Sequence, residues 1–94
     1  MRDYLVSTFE LIERGYPRGV PDEEYLPLLF FLSEHLSIRT VAYVAEQAKL
    51  ADLRVSYYND VLSAMQQSPD HAMVIARLSD VGLAEWIDEQ DAPL

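Results

Sequence analysis

The longest unbroken apolar run in this chain extends from Tyr25 to Leu32, and the sequence on both sides of it is far more polar. A helix that is apolar on every side must be enclosed by other elements. The run is also much shorter than the roughly 20 residues that a membrane-spanning helix needs. It therefore predicts a helix that is buried inside a soluble domain.

The remainder of the chain fits one helical domain. Its 94 residues are 50% hydrophobic, which is enough for one compact core. No stretch alternates apolar and polar residues for long enough to indicate a sheet. We therefore predict an all-α fold, a compact bundle of about five helices around a central apolar helix at about residues 22–36. We expect this domain at residues 1–83, followed at residues 84–94 by an acidic segment that is ordered in part at most.

Apolar residues at helical spacing predict four further helices. Their expected buried positions are, in chain order, Leu5, Phe9, Ile12 and Tyr16, then Val41, Val44, Ala45 and Ala48, then Tyr58, Val61, Leu62 and Met65, and finally Val74, Ile75 and Leu78. A residue that can cap a helix N-terminus precedes each set. These are Asp3, Ser37, Ser56 and Ser68, the last of which is followed by Pro69 as the expected first helical residue.

The segment at residues 15–21 contains two glycines and two prolines and cannot continue a helix. We predict a fixed connector, with Gly15 in the left-handed conformation that often ends a helix. Residues 22–24 are all acidic, and their charges favour the positive end of the next helix without any bound cation. Pro27 leaves two possibilities. Either it lies inside a helix that begins at Glu23, or it starts the helix after a separate turn.

The charge of the chain limits its partners. The formal net charge is -9, and the acids concentrate towards both ends of the sequence. Such a field repels phosphate backbones and anionic membranes, so nucleic acid is an unlikely partner and a membrane is not expected, whereas a basic partner is favoured. The chain has no cysteine, which excludes disulfides and thiolate chemistry and fits a cytoplasmic location.

Catalytic chemistry at neutral pH could use only two histidines, His35 and His71. Neither belongs to a metal-binding pattern or to a nucleophile motif, and a structural role is favoured for each. A small enzyme that uses one of them is therefore the least favoured hypothesis. We expect no metal, no cofactor and no catalytic residue, and we identify no small-molecule ligand.

Two other hypotheses remain. The order of capped helix, short connection and capped helix between Ser37 and Met65 is compatible with a DNA-binding helix-turn-helix, although no lysine or arginine lies between Tyr57 and His71. The preferred hypothesis is a non-enzymatic protein-interaction module, which binds a protein partner or a second copy of itself. Its candidate partner surface consists of Tyr57, Arg54 and Trp86, with Tyr57 exposed and its neighbour facing inward.

Two stretches carry a resemblance to a known family. The first is the connector Gly15-Tyr-Pro-Arg-Gly-Val-Pro21 with the following Tyr25-Leu-Pro-Leu-Leu29, and the second is the helix start at Ser68. Over residues 4–83 the chain resembles a family of short actinobacterial proteins known as the domain of unknown function number 3349. The resemblance implies a small, helical, cytosolic domain and supplies no activity, cofactor or site residue. Members of that family typically finish with Gly-Trp-Pro-Leu, whereas here Gly82 is followed by leucine.

Overall fold

The computed structural model describes residues 3–51 and 56–91. These residues form six helices and no strand. The helices are α1 (Asp3–Gly15), α2 (Asp22–Ser33), α3 (Ile38–Gln47), α4 (Tyr57–Gln67), α5 (Ala72–Ser79) and α6 (Leu83–Asp91). The all-α prediction is thus confirmed for the described residues, with one helix more than expected. The additional helix, α6, lies in the acidic segment, while the domain boundary at residue 83 stays a prediction.

The helices enclose one hydrophobic core. Helix α2 packs against α3, α4 and α5, and α1 packs against α3, α5 and α6. The radius of gyration is 12.2 Å, which matches the value of about 12 Å expected for a compact domain of this length. Because α1 and α2 each contact three other helices, an arrangement around α2 alone stays a prediction.

Helix α2 contains the long apolar run of residues 25–32. Its strongest apolar face was expected at Tyr25, Leu28, Leu29, Leu32 and Leu36. The first four are buried, whereas Leu36 lies beyond the end of the helix and is half-buried. Pro27 lies inside the helix, as in the first of the two possibilities, although the helix begins one residue earlier, at Asp22. It ends at Ser33 rather than near residue 36, and the following turn is closed by a hydrogen bond from Leu36 N to Leu32 O.

Gly15 differs from its predicted role. It is the last residue of α1 and does not have a positive φ, whereas Gly19 in the connector does, at 94°. A Cβ atom on Gly15 would lie 2.5 Å from Cδ2 of Leu78 in α5. Close packing of α1 on α5, rather than a left-handed turn, therefore explains this glycine. The buried face of α1 is centred on Thr8, Leu11 and Ile12, so the predicted positions 5 and 9 lie at its edge.

The predicted helix starts are confirmed at two of the four positions. The side chains of Ser37 and Ser56 accept hydrogen bonds from the backbone N–H groups of Thr40 and Asn59, respectively. Ser68 instead ends α4 in a left-handed conformation, and α5 begins only at Ala72, whose N–H donates to Asp70. At the first helix, Asp3 is the first described residue and already belongs to α1, so the cap at Asp3 stays a prediction.

The other two predicted faces are confirmed in part. Val41, Val44 and Ala45 in α3 are buried, but Ala48 lies just beyond the helix and is exposed. Val74 and Leu78 in α5 are buried, four residues apart, while Ile75 is turned away from them and is 37% exposed. None of the helices in the described ranges has both the length and the apolar character needed to cross a membrane.

Candidate functional site

The three residues of the predicted partner surface do not form one described surface. Arg54 lies outside the described residues. Trp86 is only 3% exposed, and its Nε1 donates a hydrogen bond of 2.8 Å to Oγ1 of Thr8 inside the fold. Tyr57 is half-buried and its hydroxyl donates to the carbonyl of Ala51 at 2.6 Å, whereas Tyr58 is exposed, the reverse of the expectation for this pair.

Helix α4 is rotated relative to its predicted orientation. Its buried residues are Asp60, Val61 and Ala64. The hydroxyl of Tyr25 in α2 donates a hydrogen bond of 2.6 Å to Oδ2 of Asp60, and this bond fixes which side of α4 faces the core. The prediction of inward positions was therefore right for Val61 and wrong for the three other positions of the predicted set, because α4 carries two apolar sides and spacing alone cannot choose between them.

The outward side of α4 is uncharged and carries a row of three apolar side chains. Tyr58, Leu62 and Met65 are 43%, 41% and 39% exposed and follow one another at the spacing of a single helix face. We call these three residues the α4 face. The only charged residue of α4 is the buried Asp60. An exposed helix side normally carries charges, so the α4 face suits an apolar contact better than a phosphate backbone.

A second feature is a cavity of about 520 Å³ between the connector, the end of α3 and α5, which we call the connector cavity. It is lined by residues 16–22 and 49–51 and by Arg77. A smaller cavity of about 330 Å³ adjoins it and shares part of its lining, including Lys49 and Leu50. The smaller cavity adds apolar walls from Phe9 and Ile12. The larger cavity therefore supplies a polar part, with its basic side chains, and the smaller cavity supplies an apolar part at Phe9 and Ile12.

Basic side chains collect at the connector cavity. Arg18, Lys49 and Arg77 line it, and Asp22 is the one carboxylate among the lining residues that the structure describes. The whole chain has seven basic and 16 acidic residues, so the local sign of charge is opposite to that of the protein. Neither Arg18 nor Lys49 forms an ion pair with any residue that the structure describes.

Arg77 is held at the cavity by a buried carboxylate. Its Nε and Nη2 atoms donate hydrogen bonds of 3.1 and 2.9 Å to the two oxygens of Glu24, which is 5% exposed. The hydroxyl of Tyr16 donates to the same carboxylate at 2.9 Å, and the guanidinium lies 4.8 Å from the centre of the Tyr16 ring. This cluster connects the end of α1, the start of α2 and α5.

The cluster keeps its charges at neutral pH. The hydrogen bonds from Arg77 lower the pKa of the Glu24 carboxyl, and they outweigh the opposite effect of burial. The same hydrogen bonds raise the pKa of Arg77. Burial, followed by the hydrogen bond to Glu24, raises the pKa of the Tyr16 hydroxyl. None of these groups is poised to exchange a proton near pH 7, so the arrangement holds helices together rather than performing acid–base chemistry.

The two histidines meet in an aromatic cluster that the sequence did not predict. The ring of Phe31 lies 5.2 Å from the ring of His35, 6.0 Å from that of His71 and 5.9 Å from that of Trp86, between centroids. Nε2 of His71 lies 2.6 Å from Oε1 of Glu34. Within the described ranges, no group of three histidine, aspartate or glutamate side chains could hold a metal ion.

The pairing of Glu24 with Arg77 was not predicted from the sequence. Glu24 was assigned to the acidic start of α2 together with its two neighbours. A signal was present, since Glu24 lies four residues before the buried Leu28, on the same face of the helix. Arg77 likewise lies three residues after the buried Val74. Nothing in the sequence indicated that these two faces meet.

The fold and the Glu24–Arg77 ion pair define a small all-α protein over the residues that the structure describes. The family model for proteins of unknown function designated DUF3349 matches residues 3–84. The chain therefore belongs to the DUF3349 family, as its connector suggested. No curated protein and no solved structure matches the chain.

Proposed function

We propose that this protein is a non-enzymatic protein-interaction module in which the α4 face binds the α4 face of a second copy of the chain. The observation that carries the proposal is a row of exposed apolar side chains on a helix whose single charge is buried. Isolated apolar residues on a surface are ordinary. Three of them on one helix face form a strip that a second helix can cover.

Charge favours a second copy at this place. Two chains of net charge -9 repel each other at most orientations. The α4 face carries no charge of its own, so it adds no repulsion at the point of contact. A two-fold axis through its middle would set the two α4 helices antiparallel, with Leu62 against its own copy and Tyr58 against Met65 of the second copy.

The non-enzymatic part of the proposal rests on the surroundings of the histidines. His71 is paired with Glu34, and His35 packs against the rings of Phe31 and Trp86. The alternative of DNA binding through α4 has less support, because that helix carries no lysine or arginine. A cytoplasmic location, supported by the absence of cysteine, is part of the same proposal.

The test is the molar mass in solution, measured by light scattering after size exclusion from micromolar to near-millimolar concentration. We expect the mass to rise from 10.8 kDa towards twice that value. Added salt should strengthen association, because it screens the repulsion between the acidic chains and leaves the apolar contact intact. A mass that stays at 10.8 kDa over the whole range would overturn the proposal.

Two matched substitutions locate the contact. Leu62→Glu places two carboxylates opposite each other at the proposed two-fold axis and should abolish association. Met73→Glu makes the same change in polarity at a side chain of α5 that is 67% exposed, and should leave association unchanged. Circular dichroism of both variants checks that the helices are retained. Equal effects of the two substitutions would rule out the α4 face.

A further inference from the structure

Lys49 lies at the rim of the connector cavity in an unusual backbone conformation. Its φ is 52°, in the left-handed region that disfavours residues with a Cβ atom. The N–H of Lys49 donates to Glu46 O and that of Leu50 donates to Ala45 O. This hydrogen-bond pattern ends many helices, and glycine is the usual residue at the left-handed position. A lysine here costs conformational energy that glycine would not.

Strained backbone conformations are often found at functional sites, so the positive φ of Lys49 suggests that its side chain has a function. Lys49 lines both adjoining cavities, and in the larger one it is accompanied by Arg18 and Arg77. Arg77 uses two of its nitrogen atoms for Glu24 and has further N–H groups for a ligand. The cations thus surround a cavity in a protein that is acidic elsewhere.

We infer that the connector cavity binds a small monoanionic amphiphile, with its carboxylate between Arg18, Lys49 and Arg77 and its short apolar tail along Phe9 and Ile12. The two cavities, of about 520 and 330 Å³, have volumes typical of small-molecule sites. Glu24 already pairs with Arg77, and Asp22 lines the larger cavity, so among the described residues three cations stand against two carboxylates and a negative head group is attracted there. Glu13 also lines the smaller cavity, which disfavours a second negative charge at the tail.

The probe for this site is octanoate, compared with octylammonium, which has the same tail and the opposite charge, and with acetate, which lacks the tail. Binding is followed on the full chain by backbone amide chemical shifts. We expect saturable binding of octanoate with shifts at residues 18–20 and 49–51, weaker binding of acetate and no saturable binding of octylammonium. Equal binding of the two eight-carbon probes, or no saturable binding of octanoate at millimolar concentration, would overturn the inference.

A substitution at Lys49 separates a binding role from a structural one. Lys49→Gly relieves the left-handed strain and should raise the thermal midpoint of unfolding, while it weakens octanoate binding roughly tenfold. Lys49→Arg keeps both the charge and the strain, and should keep the affinity. A Lys49→Gly variant that binds octanoate as tightly as the wild type would contradict the inference.

Ser68 offers the matched control. It is the other residue with a side chain and a positive φ in the described part of the chain, at 46°, and it lies at the end of α4, outside the lining of both cavities. Ser68→Gly should also raise the thermal midpoint and should leave octanoate affinity unchanged. If both glycine variants lost affinity equally, the loss would come from altered stability rather than from the missing ammonium group, and the inference would fail.

Discussion

Glu24 and Arg77 are 53 positions apart in the chain and meet through two hydrogen bonds of 2.9 and 3.1 Å. The two partners differ in their contact with water. The carboxylate of Glu24 is almost fully buried, whereas the side chain of Arg77 is 39% exposed. The pair therefore joins α2 to α5. The buried Glu24 carboxylate relies on Arg77 for its hydrogen bonds, whereas water can also solvate the guanidinium of Arg77.

This asymmetry predicts unequal effects of removing the partners. Glu24→Gln leaves a guanidinium that water reaches, and should lower the free energy of unfolding by about 1 kcal/mol. Arg77→Met leaves a buried carboxylate with one remaining hydrogen bond, from Tyr16, and should destabilise the fold more. Urea unfolding followed by circular dichroism measures both. A larger loss for Glu24→Gln than for Arg77→Met would contradict the assignment of Glu24 as the dependent partner.

The same pair predicts a dependence of stability on pH. Because Arg77 lowers the pKa of the folded Glu24 carboxyl, the ionised form is favoured by folding. Its contribution is present above the ordinary pKa of 4.5 and is lost as the pH falls through the lowered value in the folded state. The difference in unfolding free energy between the wild type and Glu24→Gln should therefore shrink below pH 4.5. Urea unfolding at a series of pH values checks this, and a difference that stays constant into acid would be the contrary result.

Close packing at Gly15 predicts that a helix-favouring substitution destabilises the protein. Alanine gains about 1 kcal/mol of helix propensity over glycine. Its Cβ atom would however lie 2.5 Å from Cδ2 of the fully buried Leu78. Overpacking of this kind costs about 1–3 kcal/mol, so we expect Gly15→Ala to lower the thermal midpoint.

The control for this prediction is a double-mutant cycle with Leu78→Val, which removes the clashing methyl group. Leu78→Val alone should destabilise the fold by about 1 kcal/mol. Combined with Gly15→Ala it should cost less than the sum of the two single changes. Strict additivity would show that the two side chains do not compete for the same space.

Two hydrogen bonds between α1 and α6 provide a comparison of buried and exposed contacts. Trp86 donates to Thr8 inside the fold, and Ser7 donates to Glu89 on the surface at 2.9 Å. Thr8→Val leaves the buried indole N–H without this acceptor, and should cost about 1–2 kcal/mol. Ser7→Ala should cost well under 1 kcal/mol, because water replaces the lost partner. Trp86 is the only tryptophan, so its fluorescence reports unfolding in both variants. Equal losses of unfolding free energy in the two variants would show that burial of the Trp86–Thr8 hydrogen bond does not add to its contribution.

Local patterns were sufficient to predict much of the helical framework. Ser37 and Ser56 could be assigned as helix caps because a cap depends on a backbone N–H only three residues away. The burial of Leu28, Leu29 and Leu32 followed from a run that is apolar on all sides. Trp86 was misjudged because its burial depends on Thr8, 78 positions earlier in the chain.

The candidate sites were less predictable than the helices. The α4 face was predicted to be buried, because the helix has apolar residues on two sides and its packing against α2 and α3, which buries Asp60, Val61 and Ala64, selects one of them. The connector was correctly predicted as a break between helices, but not as the wall of a cavity. The cations that line that cavity come from the connector, from the end of α3 and from α5.

The sequence by itself determined that this protein is helical, where most of its helices lie and that Leu28, Leu29 and Leu32 of α2 are buried, because these properties depend on neighbours within one or two turns. Only the tertiary structure decided that Glu24 binds Arg77, that α4 exposes Tyr58, Leu62 and Met65, and that Lys49 lies at a cavity with two arginines. Those outcomes depend on which helix faces meet. The spacing of residues along a single helix does not contain that information.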